Sequence, residues 1–320
     1  MGAGGNFIDT ADSYGAGASE TQVGSFVADK GIRDSVVIAT KFSNNLVPGN
    51  PNAGGNGRKN IIRAIDASLK RLKTDYVDLY LLHTWDMITP VEEVVRTLDD
   101  LVRSGKIRYG GLSDVPAWYA SRAITFAEVH ALSRPVCVQL PYSLVERHIE
   151  HEFVPMAREL DLSVTAWSPL GMGLLTGKYR AGGTGRLSHG GSGDGLGILT
   201  ERNLTIVEEL EKVSLALGKN MSQVALNWCL NRQGVAAAII GSSSPDQLDD
   251  NLGALDFDMP VELLDCLEKA SAIPCPLPYS LFSANYQAGI LNTGTSVGSK
   301  PKGYRSEIYL PKVNDYQFRS

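Results

Sequence analysis

Asp9 closes the apolar run Asn6-Phe7-Ile8, and Tyr14 follows it five residues later; Lys41 ends Val36-Val37-Ile38-Ala39-Thr40, and His83 ends Val77-Asp78-Leu79-Tyr80-Leu81-Leu82. An acid, a phenol, an amine and an imidazole are thus delivered by the ends of three strand-like runs. A phenol left to itself, with a pKa near ~10, is a poor proton donor at neutral pH, and a neighbouring ammonium favours its ionised form. Lys41 can supply that ammonium and Asp9 can keep it charged and oriented. His83 can hydrogen-bond a carbonyl oxygen as charge develops on it. Each residue alone is a weak signal; together they suit reduction of a carbonyl.

Such a set works only if its strand ends converge. Strand-like runs at 6–11, 36–42, 76–83, 107–113, 136–141, 163–168 and 235–241 alternate with helical patterns, the mark of βαβ units and a parallel sheet. Runs such as Val36 to Ala39 are apolar throughout, as strands buried on both faces are. Ile61, Ile62, Ile65, Leu69 and Leu72 recur at helical spacing, as do Val91, Val94, Val95, Leu98, Leu101 and Val102, with Gly105 closing the second helix. A helix is predicted over 19–29, with Ser19-Glu20-Thr21-Gln22 as its cap, and others over 201–217, 221–232, from Ser244 through Leu252, and 260–272. The Gly- and Ser-rich stretch 171–200 reads as a long loop. In parallel barrels the reacting groups sit at the C-terminal strand ends, which is where Asp9, Lys41 and His83 fall. The expected architecture is one α/β domain over 1–320, a (β/α)8 TIM barrel with core 3–272 and a surface tail 273–320. Seven strands are read where eight close such a barrel, so the first strand and helix of that plan are expected to be missing from this chain.

A net charge of −5 gives no reason to expect nucleic acid or an anionic membrane as partner. The four cysteines, Cys137, Cys229, Cys266 and Cys275, lie scattered in apolar patterns, without disulfide or zinc spacing, and are expected to be reduced, mostly buried thiols. No signal-peptide pattern and no apolar run of ~18 residues is read, so the expected location is cytoplasmic. His148 and His151 share a His-x-x-His spacing, but the charges around them read as a solvated helix start, and no metal is expected. The glycine clusters near 2–5, 15–17 and 190–197 do not stand between a strand and a helix in a G-x-G-x-x-G frame, so they read as turns.

The ordered motifs carry a resemblance. Phe7-Ile8-Asp9-Thr10-Ala11-Asp12-Ser13-Tyr14-Gly15, Ala39-Thr40-Lys41, Asp75 to His83, Gly105 to Ser113, Trp167-Ser168-Pro169-Leu170 and Gly241 to Gln247 together resemble the aldo-keto reductases, in the branch of aryl-alcohol dehydrogenase-like enzymes and potassium-channel β-subunits. The resemblance spans about residues 3–272. It implies a barrel that binds NADP(H), with NAD(H) also compatible, and passes hydride between nicotinamide and a carbonyl carbon. Carried over, Tyr14 is the proton donor, Lys41 and Asp9 tune it, and His83 orients the substrate. Ser113, Asp114 and Gln139 would hold the carboxamide, and Trp167 would stack on the nicotinamide ring. Ser168, Pro169, Leu170, Gly173 and Leu175, with Lys178 and Arg186, would meet the pyrophosphate. Gly241, Ser242, Ser243, Ser244, Gln247, Asp250 and Asn251 match the segment that holds the adenosine end, near a helix start that favours anions.

Two positions depart from the pattern. Asp114 stands where Asn is commoner, and three serines occupy 242–244 where many relatives carry Arg or Lys. The expected activity is NADP(H)-dependent reduction of an aldehyde or ketone to the alcohol, with the small carbonyl or alcohol as partner and a homo-oligomer left open. Trp85, Tyr142, Tyr279, Phe282 and Tyr286 point to an aromatic or otherwise hydrophobic substrate. The alternative is a cofactor-binding regulatory or catalytically impaired protein of the same type.

Overall fold

The computed structural model describes residues 2, 4–179, 187, 197–282, 286 and 290. Among them seven strands follow in chain order in one sheet, and every register pair is parallel. Helices alternate with them, which is the plan of the (β/α)8-type barrel. The residues group into two compact units, one of 1–139 with 160–163 and the other of 140–159 with 164–320.

The first unit holds β1 (Phe7–Asp9), β2 (Val37–Phe42), β3 (Val77–Leu82), β4 (Ile107–Ser113) and the start of β5 (Cys137–Pro141). Ala39, Leu79, Leu81 and Cys137 form a buried cluster across these strands. Helices α1 (Ala18–Lys30), α2 (Arg58–Leu72), α3 (Val91–Arg103) and α4 (Ala117–Val129) connect them. Their apolar stripes are buried: Ile61, Ile65 and Leu72 on α2, Val94, Val95, Leu98 and Leu101 on α3, Ala120, Ala123, Ile124 and Ala127 on α4.

The second unit holds the end of β5, α5 (Ile149–Glu159), most of β6 (Ser163–Trp167), α6 (Glu201–Leu217), α7 (Met221–Leu230), β7 (Val235–Ile239), α8 (Pro245–Leu252) and α9 (Val261–Ser271). Thr165 pairs with Ala237 and Trp167 with Ile239. Ile206, Val207, Leu210 and Val213 of α6 are buried, as are Leu264 and Leu267 of α9. The carboxylate of Glu268 takes hydrogen bonds from Trp228 Nε1, Arg232 Nη1 and Arg147 Nη2, so this buried charge is paired and satisfied.

Three sequence expectations change. β1 is shorter than 6–11, because beyond Asp9 the chain keeps only single backbone bonds to β2, Thr10 N to Ala39 O and Asp12 N to Lys41 O. α1 is not capped by Ser19: it begins after Gly17, whose φ is +94°, and no side chain caps it. Instead the Ser19 hydroxyl meets the Thr10 hydroxyl at 2.7 Å, and the Glu20 carboxylate is drawn inward to Thr40 and Arg71. The loop read over 171–200 opens with a 3-10 turn, Gly171–Thr176, anchored by buried Leu174 and Leu175.

Candidate active site

In the first unit Asp9 is the last residue of β1, Lys41 the penultimate residue of β2, and His83 the residue directly after β3. Register places these ends side by side, since Asp9 pairs with Ala39 and Lys41 with Leu81. Tyr14 opens a 3-10 turn, Tyr14–Gly17, in which Gly15 and Ala16 have φ of 58° and 53°; this sharp reversal brings the phenol back over the strand ends.

Lys41 is fully buried, and its ammonium donates to Asp9 Oδ1 at 2.5 Å, to Thr10 O at 2.9 Å and to Tyr14 Oη at 3.4 Å. An ammonium has three hydrogens to give, and three acceptors are present. Removing Asp9 would leave that charge buried and uncompensated, a loss of about 3–5 kcal/mol. The other Asp9 oxygen accepts from Gln139 Nε2 at 3.0 Å, which fixes the plane of the carboxylate. Tyr14 is 42% exposed, so its ring faces solvent while its hydroxyl is tied to a buried cation.

The His83 ring meets Tyr14 edge to face, with centroids 5.7 Å apart and planes at 77°. Burial, and then the Lys41 charge, push the His83 imidazole down to about 4, so the ring is neutral at pH 7. Its backbone N–H is held twice, by Phe42 O at 2.9 Å and by Ser43 Oγ at 3.1 Å. Two contacts here escaped sequence reasoning. Asn44 Nδ2 lies 3.2 Å from both His83 Nδ1 and Ser13 Oγ. The only signal in the sequence was position, one residue before Tyr14 and three after Lys41.

Behind the Tyr14 turn, Asp12 is buried with one carboxylate oxygen unpartnered, and burial together with the Glu20 charge raises its carboxyl to about 7. Glu20 accepts from Thr40 Oγ1 at 2.5 Å and from Arg71 Nε at 2.6 Å, which binds the 10–20 segment to β2 and α2.

Of the residues expected to hold a nicotinamide carboxamide, Ser113 and Gln139 are register partners and both are buried. Asp114 follows at φ +46°, its N–H on Gln139 O at 3.3 Å and its carbonyl accepting from Trp85 N at 3.3 Å. Of the three side chains the Gln139 amide lies against Asp9, and a hydroxyl, a carboxylate and an amide at these neighbouring positions are the kinds of donor and acceptor a carboxamide pairs with.

The second unit carries the other expected cofactor residues. Trp167 ends β6, and Ser168, Pro169 and Leu170 lead into the 3-10 turn. Ser168 Oγ accepts from Met172 N at 2.9 Å. Gly173 has φ +90°, and a Cβ there would sit 2.9 Å from the Lys178 ammonium. The positive φ favours glycine, and an ammonium lying against such a turn is a setting that suits a pyrophosphate. Arg186 lies outside the described residues. Ser244 caps α8 by accepting from Gln247 N at 3.2 Å, and Gln247 Oε1 accepts from Ser243. Asn251 Nδ2 donates to Ser242 Oγ at 3.4 Å, while Asp250 is engaged by Asn220 Nδ2 at the start of α7. Ser242, Ser243, Ser244 and Gln247 therefore share the start of α8, with Gly241 exposed just ahead of them, while Asn251 stands near the other end of the helix and reaches Ser242 through its side chain.

The aromatic residues divide. Trp85 packs edge to face on Trp118 at 5.4 Å and against Tyr119 at 6.1 Å, beside exposed Met87 and Ile88. Tyr142 is buried in the core: its hydroxyl donates to Glu150 and its ring packs on Trp228. Tyr279 donates to Glu152 and stacks on His151, and Phe282 meets Tyr279 edge to face. His148 pairs with Glu146. Among the described residues no group of three His, Cys, Asp or Glu could hold a metal ion, and no helix is long and apolar enough to cross a membrane.

Residues 1–272 match the profile of the aldo/keto reductase family. The chain is similar to norsolorinic acid reductase B of Dothistroma septosporum, 32% identical over 285 residues, which are 88% of this chain and 72% of that protein. It is 31% identical over 281 residues to an aryl-alcohol dehydrogenase of Pestalotiopsis microspora, covering 86% and 71%. A probable voltage-gated potassium channel subunit beta of Oryza sativa subsp. japonica is 35% identical over 279 residues, covering 85% and 84%.

Proposed function

Because the chain belongs to the aldo/keto reductase family, whose members typically use nicotinamide cofactors, we propose that it is an NADP(H)-dependent oxidoreductase reducing an aldehyde or ketone to the alcohol. The observation that carries this is the Lys41 ammonium, which touches Asp9, Thr10 O and the Tyr14 hydroxyl at once. When bound, the reduced nicotinamide supplies the hydride that adds to the carbonyl carbon. Tyr14 gives its proton to the carbonyl oxygen, and the Lys41 charge stabilises the phenolate left behind. Asp9, fixed by Gln139, keeps Lys41 aimed at the phenol. The exposed face of Tyr14 lets solvent return the proton.

Ser113, Asp114, Gln139 and Trp167 would hold the nicotinamide, Ser168, Pro169, Leu170, Gly173, Leu175 and Lys178 the pyrophosphate, and Gly241 to Ser244 with Gln247, Asp250 and Asn251 the adenosine end. The Trp85, Trp118 and Tyr119 cluster just past His83 supports an aromatic or hydrophobic carbonyl as substrate. The relatives named as a norsolorinic acid reductase and an aryl-alcohol dehydrogenase support the same choice. The test is oxidation of NADPH with an aromatic aldehyde. Tyr14→Phe should lower kcat by about 10²–10⁴-fold, the range a positioned acid supplies, with NADPH binding retained. Retained turnover in that variant would remove Tyr14 from the role.

A further inference from the structure

Asn44 has no part in the acid, phenol, amine and imidazole set, yet its side chain touches two of the segments that carry it. Its amide nitrogen lies 3.2 Å from Ser13 Oγ, one residue before Tyr14, and 3.2 Å from His83 Nδ1. An amide nitrogen carries two hydrogens and no lone pair it can offer, so it donates in both contacts. Ser13 accepts one hydrogen and the imidazole Nδ1 accepts the other. A neutral imidazole whose Nδ1 accepts carries its proton on Nε2. The ring is neutral at pH 7, so this choice of tautomer decides whether Nε2 can donate at all.

The backbone around Asn44 is built to hold it there. Ser43 stands at φ +124°, a region that non-glycine residues rarely adopt and that the surrounding bonds must enforce. Its hydroxyl donates to Asn56 Oδ1 at 2.6 Å and accepts from His83 N at 3.1 Å. Asn56 in turn reaches Thr84 O at 2.9 Å. Ser43 thus holds the His83 backbone while Asn44 holds the ring.

We propose that Asn44 is a positioning residue that locks His83 in its Nε2–H tautomer and ties that ring to the Tyr14 turn, so that imidazole and phenol both present a hydrogen to one carbonyl oxygen. The consequence for turnover rests on the reductase reading above, whereas the tautomer does not. A carbonyl oxygen gains negative charge as hydride arrives, and a fixed donor is strongest at that point. Loss of the lock should therefore lower kcat more than it changes KM.

The test uses the full chain labelled with ¹⁵N in its histidine rings, with long-range ¹H–¹⁵N correlation spectra at pH 7.5 and His83→Gln to assign the signal. Wild type should show His83 with Nε2 protonated and Nδ1 bare. Asn44→Asp replaces a donor by an acceptor and should invert the pattern. Asn44→Ala should give a mixture of the two tautomers, and it serves alone if the aspartate variant does not fold. In the NADPH assay Asn44→Asp should lose about 10²-fold in kcat, within the range of a single fixed donor, with KM and NADPH affinity changed less than about threefold. A wild-type ring with Nδ1 protonated, or a ring pattern unmoved in both variants, would overturn the proposal. A wild-type chain with the expected ring pattern and no turnover of any carbonyl would overturn the reductase reading and uphold the tautomer assignment.

Discussion

Asp12 shows how much a single motif position can carry without touching a reactant. It sits inside the Asp-Thr-Ala-Asp-Ser-Tyr run, and sequence reading gave it no role, because burial of a loop carboxylate leaves no trace in residue order. In the structure its side chain is buried beside Glu20, with Arg71 and Arg63 only partly offsetting the cost, and its folded pKa is raised to about 7. A carboxyl raised in this way contributes stability that is fully present below its unfolded pKa of ~3.9 and is lost as pH rises through 7. Asp12→Asn removes that dependence. Measured by urea unfolding, the variant should gain on wild type by about 1.4 kcal/mol per pH unit between pH 5 and 7, then level off. A stability difference that is flat across this window would mean that the carboxyl is not held protonated. Asp9, Lys41, Tyr14 and His83 were legible for the opposite reason: each stands at or just beyond the end of an apolar strand, where a polar residue interrupts a strong pattern.

Elements with a strong apolar period were readable, and those whose contacts rest on small residues were not. The strand runs showed because parallel strands buried on both faces are nearly all apolar, and α2 and α3 showed through Ile, Val and Leu at helical spacing. α4 did not, since its buried stripe is Ala120, Ala123 and Ala127, and exposed Trp118 and Val129 blur the period. α1 itself was read, over 19–29, but its seam with α2 was not, because that seam rests on a glycine. Gly24 is buried against the backbone of α2, and a Cβ there would lie 2.5 Å from the Leu72 Cα. Backbone cannot yield as a flexible side chain does. Gly24→Ala should therefore force α1 away from α2 and cost about 1–3 kcal/mol, despite the better helix propensity of alanine. Urea denaturation checks the sign: a stabilised variant would mean that the two helices separate freely. The predicted Ser19 cap failed because α1 begins one residue earlier, after Gly17, and the Ser19 hydroxyl is engaged by Thr10 instead.

At the scale of the whole molecule the barrel plan was legible because its motifs recur in a fixed order, whereas cofactor preference depends on charge at one helix start. Ser242, Ser243 and Ser244 stand ahead of α8, Ser244 as its cap, with no cation among them. A helix start and hydroxyls favour an anion modestly, by about 0.3–1 kcal/mol, while a guanidinium on a phosphate adds a charge-assisted pair. On the proposed function, wild type should therefore prefer NADPH over NADH only weakly. Ser242 is exposed and accepts only the long 3.4 Å bond from Asn251, so an arginine can be placed there without loss of the cap. Ser242→Arg should raise the ratio of NADPH to NADH affinity by about tenfold, the equivalent of about 1.4 kcal/mol, read by titration of tryptophan fluorescence with each cofactor. The added preference should shrink as salt is raised, because the new pair lies at the surface. A ratio unmoved by the arginine at low salt would place the 2′-phosphate elsewhere and remove 241–251 from the adenosine site.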